Sequence, residues 1–70
     1  MSQFKLYDVV ALLKPLPEYN LQKGQVGSVV MVYDDTHVEV EFVDRVGNTI
    51  ALCTLEISKL LLLHYESSLA

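Results

Sequence analysis

Lys23-Gly24-Gln25-Val26-Gly27-Ser28-Val29-Val30-Met31-Val32-Tyr33-Asp34-Asp35 is the stretch on which the fold turns. It reads as a glycine turn, a strand and a polar reversal. A second strand follows, in which Val38, Val40 and Phe42 alternate with Glu39 and Glu41. Strict alternation is the mark of a strand with one face in the core and the other in water. Gly24 suits a turn position that needs positive φ. Gly27 falls inside the strand, where glycine marks either a bulge or a close approach of two backbones. Simple alternation puts Val30 and Val32 on one face and Val29, Met31 and Tyr33 on the other. A strand apolar on both sides is either covered twice or keeps one face for a partner.

Upstream, Asp8 to Leu13 is rich in large and β-branched residues and reads as a first strand, because Pro15 would halt a competing helix early. Lys14 to Gln22 is a loop in which Pro15 and Pro17 each remove a backbone donor. Leu16, Tyr19 and Leu21 make that loop too apolar to be free, so some of them fold back over one end of the core. Downstream, Asp44 to Asn48 is a second turn with Gly47 at positive φ, and Thr49 to Thr54 is the next strand. Ile57, Leu60, Leu61 and His64 fit helical spacing, while Leu60 to Leu63 fits a short buried strand. With hairpin-linked strands upstream, a 3₁₀ turn within Leu55 to Lys59 and then a closing strand is the better fit. The expectation is one all-β domain over residues 1–66, a small five-stranded barrel, with 67–70 a frayed tail.

This order, with Leu6-Tyr7-Asp8-Val9-Val10-Ala11-Leu12, Leu16-Pro17-Glu18-Tyr19, Lys23 to Val30 and Val40-Glu41-Phe42-Val43-Asp44, resembles an SH3-like barrel, and specifically a family of small bacterial proteins of unknown function. The likeness runs on to Leu60 and Leu61. Met31 departs from it, standing where acidic residues are common, and Cys53 stands where a plain apolar residue is usual. The resemblance implies no activity. It implies a stand-alone protein, sometimes encoded beside a larger partner in the manner of a toxin–antitoxin pair.

Seventy residues make one small domain, and 51% hydrophobic against 20% charged residues argues for a packed core over disorder. One cysteine, Cys53, allows neither an internal disulfide nor a cysteine zinc site, which fits a reducing cytoplasm. Met1 to Lys5 lacks the apolar run of a signal peptide, and Leu60 to Leu63 is too short to span a bilayer. A net charge of −4, with the five basic residues scattered, argues against nucleic-acid binding, since phosphate contacts need clustered Lys and Arg.

No catalytic constellation stands out, and no cofactor is expected. Asp34, Asp35 and His37 are close in sequence, but an oxygen and imidazole metal site needs ligands converging from elsewhere, so a polar turn is the plainer role. Cys53 between Leu52 and Thr54 lacks a neighbouring base and reads as a buried thiol. Gly24-Gln25-Val26-Gly27 lacks the Gly-Lys-Ser/Thr ending of a phosphate loop. His64 beside Tyr65 reads as a surface pair.

Two surfaces remain as partner-binding candidates. One is the acidic hairpin, with Asp34, Asp35, Glu39, Glu41 and Asp44 offset only by Arg45. Such a face is commonly plain solvation, and otherwise steers a basic partner. The other joins Pro17 and Tyr19 of the loop to Met31 and Tyr33, although a packing role is the plainer one for Tyr19. The expected function is a non-enzymatic protein-interaction module, an antitoxin-like or accessory subunit binding a larger protein. The alternatives are an RNA- or ribosome-associated module and a homodimer joined through Val29, Met31 and Tyr33.

Overall fold

The computed structural model describes residues 4–63. Among these residues five strands, β1 (Val9–Leu12), β2 (Val26–Val32), β3 (His37–Val43), β4 (Thr49–Glu56) and β5 (Leu60–Leu63), form one antiparallel sheet in the order β4-β3-β2-β1-β5. Two 3₁₀ turns interrupt them, Pro17–Tyr19 before β2 and Ile57–Lys59 before β5. The expected 3₁₀ turn and the strand after it are therefore both present. The expected closure is not: among the described residues β4 and β5 are the two edges of the sheet rather than neighbours. The expectations for His64, Tyr65 and the tail lie outside the described residues.

The alternation of β3 is realised in full. Val38, Val40 and Phe42 are completely buried, each worth about 1.5–3 kcal/mol relative to exposure, while Glu39 and Glu41 face outward. Cys53 and Leu55 of β4, Val10 and Leu12 of β1 and Leu60 of β5 complete the inner face. In the loop, Leu16 and Leu21 exchange two backbone hydrogen bonds of 3.0 and 3.1 Å and are buried. That small bridge lets the proline segment cap the core, and it leaves Tyr19 exposed instead of packed.

β2 departs from simple alternation. Val29 pairs with Val40, but Met31 pairs with Glu39, so Val30 is an extra residue with no partner of its own. This bulge changes the parity of the strand. Val29 is fully buried whereas Met31 and Tyr33 are exposed, and the single face assigned to the three is corrected. The bulge sits at Val30 and not at Gly27. Gly27 is instead the close approach: a Cβ there would lie 2.8 Å from the Glu41 carbonyl oxygen and from the Phe42 and Val40 side chains. Gly24 and Gly47 occupy their turns at φ +86° and +92°. A second shift, between Phe42 and Val43, makes Ile50 the extra residue of β4.

Candidate protein-binding face

The outer face of β2, β3 and β4 is built by register. Met31, Glu39 and Thr54 form one row across the sheet, and Ser28, Glu41 and Leu52 the next. Glu39 is the hub. Its Oε1 accepts hydrogen bonds from the Tyr33 hydroxyl at 3.0 Å and the Thr54 hydroxyl at 2.6 Å. The bond from Tyr33 to Glu39 is the main reason that phenol is held above its usual pKa. Glu41 Oε2 accepts a bond from the Thr49 hydroxyl. Around these carboxylates Met31, Tyr33 and Leu52 are 48%, 53% and 54% exposed. The result is an apolar surface carrying fixed acceptors.

The aspartates have different work. Asp34 Oδ1 accepts from the Thr36 amide and hydroxyl and the His37 amide, at 2.8, 2.9 and 2.8 Å, and so closes the β2–β3 reversal. Those bonds, Thr36's first, hold its pKa below the ordinary 3.8. Asp44 does the same for the next turn, taking the Asn48 and Val46 amides at 2.9 and 3.0 Å, and the Asn48 bond leads in lowering its pKa. Asp34 and Asp44 flank opposite ends of β3, about 20 Å apart at strand rise. Asp35 is exposed beside Asp34. The acidic hairpin is therefore two turn-building aspartates at its ends and two outward glutamates between them.

Met31, Tyr33, Glu39 and Glu41 are thus brought onto one face. Pro17 and Tyr19 belong to the 3₁₀ turn that caps the core, whose backbone bonds run from Tyr19 to Leu16 and from Asn20 to Pro17. Three further exposed positions were not anticipated. Leu52 and Thr54 follow from alternation with buried Cys53 and Leu55, a signal the sequence carries. Tyr7, 76% exposed at φ +71°, has no such signal, because nothing in its neighbours announces a left-handed tyrosine.

Cys53 is buried, and burial followed by the charges of Glu39 and Glu18 pushes its thiol pKa up, the opposite of an activated nucleophile. Among the described residues no three His, Cys, Asp or Glu are grouped to hold a metal ion, and no helix is long and apolar enough to cross a membrane.

Fold and face together define a small all-β domain with a mixed acidic and apolar outer surface. Residues 6–62 match a family described as a domain of unknown function, DUF4926, and the chain belongs to that family. No curated protein and no solved structure matches the chain.

Proposed function

We propose that this chain is a cytoplasmic SH3-like barrel acting as a non-enzymatic protein-interaction module, an antitoxin-like or accessory subunit of a larger protein. The SH3-like reading, with the sheet open between β4 and β5, is supported by the placement of β1 between β2 and β5, by the bulge that bends β2 and by the 3₁₀ turn leading into β5. The observation that carries the function is the exposure of Met31 and Tyr33 beside Glu39. The inner face of the same strands fills the core without them, so this apolar area does nothing for the fold and suits a partner. The glutamates around it favour a basic partner surface through complementary potential.

The test is affinity capture with the full chain and with Met31→Lys, both shown to be folded, followed by mass spectrometry. A stoichiometric partner retained by the native chain and lost with Met31→Lys is the expected result. Identical capture by both chains refutes the reading, and so does RNA binding that survives physiological salt.

A further inference from the structure

Among the described residues the sheet has two edges of unequal character. β5 is preceded by Lys59 and spans four of the described residues, and lysines and short strands are common ways of blunting an edge. β4 is the longest strand of the sheet, at eight residues, and contains no Lys, Arg or Pro. The bulge at Ile50 interrupts only its start, which leaves Ala51 to Glu56 regular.

The direction of its backbone groups follows from the ladder. Tyr33 N–H donates to His37 C=O, and Ile57 N–H donates to Thr36 C=O. Backbone groups alternate sides along a strand, so Val38, Val40 and Phe42 turn theirs to β4. Their partners Leu55, Cys53 and Ala51 answer them. Leu52, Thr54 and Glu56 therefore present their N–H and C=O groups to the open side, where β4 has no strand neighbour among the described residues.

We propose that the β4 edge receives an extended, basic segment of a protein partner, added antiparallel as a sixth strand. This rests on the protein-association reading above and adds to it a mode of binding. Charge selects the occupant. A residue opposite Thr54 continues the row that holds Glu39, one opposite Glu56 meets that carboxylate directly, and one opposite Leu52 continues the row of Glu41 beside an exposed leucine. The fitting outward pattern is cation, cation, apolar at every second residue, with small apolar residues between them facing the core side. A second copy of β4 offers no cation at any of these positions.

The probe is an acetylated, amidated heptapeptide, Thr-Lys-Val-Lys-Val-Leu-Thr, titrated into the ¹⁵N-labelled full chain, with a second peptide carrying Glu for both Lys. Binding is expected to shift the Leu52, Thr54 and Glu56 amides and to slow their hydrogen exchange. The Glu peptide should bind about tenfold more weakly, as two surface charge pairs change sign, and Glu39→Gln should narrow that gap. Leu52→Pro removes an edge donor without breaking a ladder bond and should abolish binding. If that variant does not fold, Leu52→Lys, which blunts the edge and leaves the ladder intact, makes the same comparison. Equal affinity for the two peptides overturns the proposal, as do shifts confined to Met31 and Tyr33. Protection of the β4 amides in a peptide-free dimer, detected by light scattering, makes a second copy the occupant and also overturns it. A cellular partner lost with Met31→Lys but kept by Leu52→Lys removes the edge and leaves the association reading standing.

Discussion

Gly27→Ala is the most direct test of how β2 and β3 meet. The added methyl would lie 2.8 Å from three atoms, the Glu41 carbonyl oxygen, Phe42 Cδ1 and Val40 Cγ1. One of these is backbone, and the other two belong to fully buried side chains, so none can swing away into solvent. Overpacking of this kind costs about 1–3 kcal/mol. Replacing glycine also restricts the unfolded chain, a gain of about 0.4–1 kcal/mol where the backbone angle is ordinary, as at Gly27. The clash wins, and the net loss is about 1–2 kcal/mol. A 70-residue domain has roughly 3.5–10 kcal/mol of stability in all, so the change is large. With a urea slope of about 1 kcal/mol/M the midpoint should fall by about 1–2 M at unchanged slope. Phe42→Leu in the same chain removes part of the obstruction, so the double variant should lose less than the two single losses added. An unchanged or raised midpoint for Gly27→Ala would mean that the strands do not approach as described.

Three more outcomes are expected. Met31→Lys should leave thermal stability within about 0.5 kcal/mol, whereas Val29→Lys should abolish cooperative unfolding by calorimetry, although the two positions are only two residues apart. Asp34 and Asp44 have folded pKa values below the ordinary 3.8, so the unfolded chain takes up protons first. Their contribution is present in full above that value and is lost as pH falls through the folded values. A urea midpoint that drops below about pH 4 in the native chain, and drops less steeply in Asp34→Asn with Asp44→Asn, is the expected result. The Cys53 thiol is buried with a raised pKa, so it should react with a chromogenic disulfide reagent only at the rate of unfolding. Fast reaction in the native state would show the core open at β4.

The legible parts of this chain are those in which side-chain pattern and backbone geometry agree. Glu39 and Glu41 alternating with Val38, Val40 and Phe42 place β3 and its two faces without ambiguity, and Gly24 and Gly47 mark their turns. The face of Met31 was open to misreading because the bulge falls on Val30, a residue with no turn chemistry. A β-branched residue suits a bulge and a regular strand alike, so only the register with Glu39 and Val40 shows where parity changes. Gly27, the visible irregularity, proved to be a contact requirement on the opposite strand. Asp34 and Asp44 count as charges in a composition, yet their carboxylates are spent on neighbouring amides. Sequence separation alone does not separate a turn-building aspartate from one that faces a partner.

The ladder between β1 and β5 has a consequence for the order of assembly. β2, β3 and β4 are joined by short turns and can pair early, at small loop-closure cost. Val9, by contrast, pairs with Leu63, across almost the full described chain. That contact forms late, and such long-range pairing slows folding. Until β5 docks, the β2–β4 meander stands with Val10 and Leu12 still lacking their neighbours Leu62 and Leu60. Docking of β5 thus sets the moment at which a partly assembled meander becomes a protected domain.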